Sequence, residues 1–183
     1  LHDPLQKRAM QDGCEESGDA LPRQFRPSEP IIGSSVATEQ AKFFHAMGMD
    51  LLHSLPEAAH GYVQRALRTA PKESWLLSEI MGSACVALNR LKRHSEALRM
   101  AEQACELLKR GQQPSVQLAA MLHNKSACHE YLGDNASALQ ATEKGLQLAE
   151  RMRLPEGDEL VARLEQSKTK LVAKLTDPKA KAS

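Results

Sequence analysis

Apolar residues along this chain recur at three- and four-residue spacing in seven stretches, and each stretch ends at Pro, Gly or a charged turn. The first runs from Val36 to Ser54 with Ala41, Phe44, Met47, Leu51 and Leu52 on overlapping faces. Ser54-Leu55-Pro56-Glu57 then predicts a capping box, with Pro56 in the first turn of a second helix that reaches about Thr69. A third helix runs from near Ser74 to Leu91, and Lys92-Arg93-His94 makes the turn into a fourth, Ser95 to Lys109. The fifth and sixth lie between Pro114 and Glu150 and are divided at Gly133-Asp134, where Asp134 or Asn135 is placed to cap the sixth. A seventh, Glu159 to Leu175, has no partner after it.

The second helix of each pair repeats. Ala59, Ala97 and Ala138 are spaced 38 and 41 residues apart, and so are Ala66, Ala104 and Gly145. Small residues are needed where two helices cross closely, because a larger side chain would push the backbones apart. A period near 40 built from helix pairs predicts a stacked array, since one pair alone cannot bury its apolar face. The fold expected is therefore all-α, an α-α superhelix of about three and a half antiparallel pairs over residues 36–175. Residues 1–33, punctuated by Pro22, Pro27 and Pro30, predict an extended or disordered arm with Phe25, Ile31 and Ile32 as anchors. Residues 176–183 predict a mobile tail.

Composition narrows the chemistry. Aromatics are only 3% of the 183 residues, so the core must come from Leu, Ala, Met and Val. A net charge of +1 gives no general drive toward nucleic acid or an acidic membrane, and no apolar run reaches the ~18 residues of a spanning helix. No secretory signal opens the chain, and its start at Leu1 predicts a segment or processed product of a longer protein. The cysteines, Cys14, Cys85, Cys105 and Cys128, form no Cys-x-x-Cys pair and predict buried free thiols in a reducing, cytoplasmic setting. Among the histidines, His123, Cys128 and His129 lie closest together, but a five-residue step does not keep two ligands on one helical face, so no metal site is expected. No phosphate-binding loop appears, and Ser126, His129 and Glu130 lack the strained turn that a nucleophile needs. Neither cofactor nor catalysis is expected.

The stretch Asn124, Ser126, Gly133-Asp134, Ala138-Leu139 and Lys144-Gly145-Leu146 resembles the tetratricopeptide repeat family. Ala59, Ala66-Leu67 and Pro71 carry the likeness in the first pair, and Ala97-Leu98 and Ala104 in the second. Lys92-Arg93 replaces the Gly-Asp turn there, while Lys125 and His129 stand where the family has Leu and an aromatic residue. The longer period is similar to that of kinesin light chains and related scaffolds. The resemblance implies that the first helix of each pair lines a concave face. The groove candidates it implies are Glu79, Asn89, Arg90, His123, Asn124, Glu130, Tyr131 and Arg163, with His45, Met49, Val86, Ala120, Ala127 and Gln166 beside them. Asn124 stands out because an amide donates and accepts at once, which suits a peptide backbone. Ser83 sits where a second Asn would complete a carboxylate clamp, so no such clamp is expected.

The function expected from this resemblance is a non-catalytic adaptor holding an extended or helical segment of a protein partner. Two alternatives stand beside it: a structural subunit of a larger assembly, and a regulatory domain of a larger enzyme or motor. Leu160, Val161, Leu164 and Leu171 on the last helix would serve the structural reading, including self-association, by facing a partner.

Overall fold

A computed structural model describes residues 31–72, 75–111, 115–155 and 157–177, and the side chains from residue 35 onward. The expected arm, with Cys14 and Phe25, lies outside the described residues, as do the tail beyond Asp177 and the side chains of Ile31 and Ile32. Seven helices follow one another: α1 (Ile31–Leu51), α2 (Pro56–Thr69), α3 (Trp75–Arg90), α4 (His94–Lys109), α5 (Val116–Tyr131), α6 (Asn135–Arg151) and α7 (Glu159–Thr176). Successive helices from α2 onward pack on each other, and α3 also touches α5, as α5 touches α7. Odd-numbered helices thus form one layer and even-numbered helices back them.

The spacing of small residues explains the packing. Ala59, Ala66, Ala97, Ala104 and Ala138 are all fully buried, and Gly145 is buried at the equivalent position of α6. A methyl group added at Gly145 would stand 2.9 Å from Leu164 Cδ2, and one at Gly48 would stand 2.7 Å from Val63 Cγ2 and 3.2 Å from the Ala59 carbonyl oxygen. At Gly48 a side chain would press on the backbone of α2 as well as on Val63, and at Gly145 it would displace the end of the Leu164 side chain. One core joins Met81, Cys85 and Leu88 of α3 to Ala97, Ala101 and Ala104 of α4 and to Met121 and Cys128 of α5. Another joins Ala41 of α1, Val63 and Ala66 of α2, and Leu76, Ile80 and Ala84 of α3. One polar pair inside the array is satisfied internally: Ser126 and Thr142 share a hydrogen bond of 2.7 Å between α5 and α6, and Thr142 also donates to the Ala138 carbonyl.

The turns of the second and third pairs have the same geometry despite different residues. Arg93 N–H donates to the Leu88 carbonyl at 2.9 Å, and Asp134 N–H donates to the His129 carbonyl at 2.9 Å, 41 residues later. Both close the preceding helix through a residue with left-handed backbone, Lys92 at φ 59° and Gly133 at φ 81°. Glycine adopts that conformation freely, whereas a side chain is strained there. The second turn also lacks a cap. Asp134 accepts from Ser137 N–H at 3.0 Å, but Arg93 caps nothing with its side chain and instead pairs with Glu96.

Three expectations need correction. Ser54 does not cap α2: Leu55 holds the cap position without a side-chain bond, because backbone bonds from Leu55 to Leu51 and from Ala59 to Leu55 set the helix start one residue later. α1 begins at Ile31, not Val36, so the helix runs through Gly33; a helical glycine costs only about 1 kcal/mol relative to alanine, too little to stop a helix by itself. Leu164 and Leu171 do not face a partner. Both are fully buried, Leu164 against Gly145, while Glu165, Gln166, Thr169 and Ala173 face outward. α7 therefore packs on α6, with Leu164 and Leu171 buried, and turns a mostly polar face outward, with Val172 exposed on it.

Two stability measurements follow. Lys92→Gly should raise the unfolding free energy by about 0.5–1 kcal/mol in a urea melt, and Gly133→Ala should lower it by about as much; a destabilised Lys92→Gly chain would contradict the shared turn geometry. Leu164→Ala should lower it by about 2–5 kcal/mol, whereas a loss below 0.5 kcal/mol, the size of an ordinary surface substitution, would show that α7 is not integral to the core.

Candidate functional site

The inner layer carries two adjoining cavities. The first, about 290 Å³, is lined by Met49 and Leu52 from α1 and its turn, Glu79 and Val86 from α3, Met121, His123 and Asn124 from α5, and Leu160 and Arg163 from α7. The second, about 370 Å³, is lined by Val86, Asn89, Arg90, Asn124, Ala127 and Tyr131. Four odd helices thus contribute to one continuous surface, with Val86 and Asn124 on the border of both cavities. Seven of the eight groove candidates line it: Glu79, Asn89, Arg90, His123, Asn124, Tyr131 and Arg163.

Glu130 is the exception. Its carboxylate pairs with Lys170 and Lys174 of α7, each at 2.6 Å, and lines neither cavity. Although partial burial opposes ionisation, hydrogen bonds and charge from the two lysines hold this carboxyl below its ordinary range. Glu130 is therefore a tie between α5 and α7. The family resemblance put it among the groove candidates but could not show that two lysines from 40 and 44 residues onward would reach it.

The apolar cavity has a polar wall. His45 and Ser83 share a 2.7 Å hydrogen bond across α1 and α3, so Ser83 is engaged rather than open. Burial holds the His45 imidazole below its usual range, with the Glu79 carboxylate opposing that shift. His123 is lowered by burial first and then by the nearby Arg163 guanidinium, and its Nδ1 is enclosed without a protein partner. Arg163 itself pairs with Glu159. No hydrogen bond within the described residues ties down the Asn124 amide.

The other cavity is polar and aromatic. Arg90 Nη2 lies 2.9 Å from His53 Nδ1 and has no carboxylate partner among the described residues. Tyr131, 62% exposed, stacks on His94 with ring centroids 4.6 Å apart. His94 Nδ1 lies 3.1 Å from Asn89 Oδ1, and Asn89 Nδ2 donates to Cys128 Sγ at 3.2 Å. Asn89, Arg90, His53, His94 and Tyr131 therefore support one another at the turn end of the inner layer. His53 and His94 were not among the groove candidates, because His53 lies in the turn after α1 and His94 opens α4, and only the three-dimensional stacking brings them in.

A larger cleft, about 590 Å³, opens on the other layer between α4 and α6. Leu118, Leu122, Cys105 and Ala141 line it, with Lys109, Lys125 and Lys144 at its edge. Glu106 and Glu102 neutralise Lys109 and Lys125. Lys125, which replaces the leucine of the resembled pattern, thus finds an outward position and an acid.

Ser126, His129 and Glu130, which stand close in the sequence, are each engaged elsewhere. Ser126 is buried against Thr142, His129 sits 3.5 Å from Asp134, and Glu130 holds α7. Among the described residues no group of three or more His, Cys, Asp or Glu side chains could hold a metal ion, and no helix is long and apolar enough to cross a membrane.

The fold has a counterpart of known structure. A TPR-like protein from Chlorobium tepidum superposes with a TM-score of 0.57 at 18% identity, over 80% of this chain and 96% of that one. At that identity the likeness shows the fold alone, a TPR-like stack of helix pairs. No family model matches the chain, and no curated protein does.

Partly buried histidines set a pH dependence, His45 and His123 on the inner layer, with His60 in the same window. An unfolded imidazole takes up a proton near pH 6.5, while His45 and His123 resist protonation until a lower pH. Stability should therefore fall as pH drops from about 6.5 through the depressed values. The depressed carboxylates, Glu130 among them, act only below about pH 4.5 and leave that window clear. Melting temperature should decline from pH 7 to 5.5, and the decline should shrink in His45→Gln/His123→Gln. An undiminished slope in the double variant would contradict the assignment.

Proposed function

We propose that the chain is a non-catalytic protein-binding module that holds an extended or helical segment of a partner along its inner layer. The observation that carries this reading is the pair of adjoining cavities built from all four odd helices, apolar at one end and cationic at the other. Each cavity lies near the lower end of the roughly 300–1,000 Å³ typical of small-molecule sites. Both are open to the surface, which favours side chains presented in a row over an enclosed ligand. Apolar side chains of the partner would sit between Met49, Val86, Met121 and Leu160. Asn124 would bond the partner backbone midway, and an acidic group would meet Arg90 beside Tyr131.

The structural-assembly reading through α7 loses two of its four residues, because Leu164 and Leu171 are buried within the chain, while Leu160 and Val161 stay partly exposed. Support for that reading is found also on α1, where Val36 and Phe43 are 61% and 59% exposed.

Selection of displayed 12-residue peptides on the immobilised chain tests the groove. Enriched peptides should combine an apolar side chain with Asp or Glu. Asn124→Ala should weaken them about tenfold, equivalent to losing one or two hydrogen bonds, and Arg90→Glu should reverse the acidic preference, with helicity and melting unchanged. Peptides that bind both variants as they bind the wild type would place the binding surface elsewhere.

A further inference from the structure

The stacking of the second and third pairs brings together two thiols that lie 43 positions apart in the chain. Cys85 of α3 and Cys128 of α5 are both fully buried, with their Sγ atoms 3.4 Å apart. That is contact distance, about 1.4 Å longer than a disulfide bond. The third buried thiol, Cys105, belongs to the same core on α4, but no hydrogen bond within the described residues joins it to either. The pair is also asymmetric. The two sulfurs share one contact in which either can donate, and Asn89 meets Cys128 in both senses, its Nδ2 donating to Sγ at 3.2 Å and its Oδ1 lying 3.7 Å from Sγ as an acceptor; the bonds received at Cys128 favour a thiolate there against the opposing effect of burial. Donation to Cys128, together with burial, keeps the Cys85 thiol protonated. The contact lets one sulfur react as a thiolate while the other stays beside it as a neutral thiol.

We propose that Cys85 and Cys128 are a redox modification site, in which a small peroxide converts the pair to a disulfide that ties α3 to α5. In the first step the Cys128 thiolate attacks one oxygen of hydrogen peroxide. The O–O bond breaks, Cys128 becomes a sulfenic acid, and the departing hydroxide takes up a proton to leave as water. In the second step the Cys85 sulfur attacks the sulfenic sulfur. The S–S bond forms, the S–OH bond breaks, and that hydroxide leaves as water with the Cys85 proton. In sum, two thiols and one peroxide give one disulfide and two waters, with the two electrons passing from sulfur to oxygen. Access is through the inner layer. Asn89 lines the polar cavity and covers Cys128, so a local opening of that wall admits a molecule as small as peroxide. The disulfide closes a loop across two helix pairs, and it removes the thiol contact that positions the Asn89 amide.

Peroxide treatment of the full chain carrying Cys14→Ser and Cys105→Ala leaves only this pair to react. The expected product is a monomer lighter by about 2 Da, with no alkylatable thiol and a peptide linking Cys85 to Cys128. Dithiothreitol should restore both thiols. Its melting temperature should lie roughly 5–10 °C above that of the reduced chain. Should the double variant fail to fold, peptide mapping of the peroxide-treated wild-type chain reads the same link. Monomers that gain one or more oxygens without the 2 Da loss, crosslinks between chains, or two thiols that stay alkylatable after treatment would each overturn the proposal.

Discussion

Everything in this array depends on how closely one helix can lie against the next. Gly48, Ala59, Ala97 and Gly145 remove the side chains that would hold the helices apart, and backbone or branched side chains of the neighbouring helix come within about 3 Å of where a methyl group would stand at Gly48 and Gly145. Close approach lets small and unbranched residues fill the interior, which a chain with 3% aromatics requires. It also lets successive odd helices touch, so that His45 meets Ser83, Cys85 meets Cys128, and Glu130 meets two lysines of α7. The inner surface is a consequence of that spacing, because its walls are the faces of α1, α3, α5 and α7 that the packing leaves open.

How much of this the residue pattern reveals depends on the range of the interaction. Contacts within a helix pair are legible. The 38- and 41-residue offsets mark buried positions because each pair repeats the same crossing, and the Gly133-Asp134 turn carries its cap within four residues. Lys92 shows that geometry outlasts its signature: the same backbone turn forms where glycine is missing, since the helices on either side fix it. Ser54 shows the reverse, a capping signature left unused because backbone bonds placed the helix start elsewhere.

Contacts between pairs are far less legible. Seven of the eight residues that the family resemblance put on the first helices line the two cavities, because helix membership and face are set within each pair. Which partner each residue takes across the stack depends on register between helices about 40 residues apart. That register decides why Glu130 ties down α7, why Arg90 reaches His53, and why two cysteines with no local motif come into contact. It also turns Leu164 and Leu171 inward, where the lone seventh helix, read without its neighbours, appeared to need a partner.

The two layers now have different chemical characters. The cleft between α4 and α6 is edged by two lysine–glutamate pairs, whereas the inner surface combines apolar side chains, an amide that no hydrogen bond among the described residues ties down, and a guanidinium without a carboxylate among them. The most direct test is methyl NMR of the chain titrated with a selected acidic-apolar peptide. Shifts should concentrate at Met49, Val86, Met121 and Leu160, with Leu118, Leu122 and Leu146 unmoved. Shifts confined to Leu118, Leu122 and Leu146, with the inner methyl groups silent, would contradict the account.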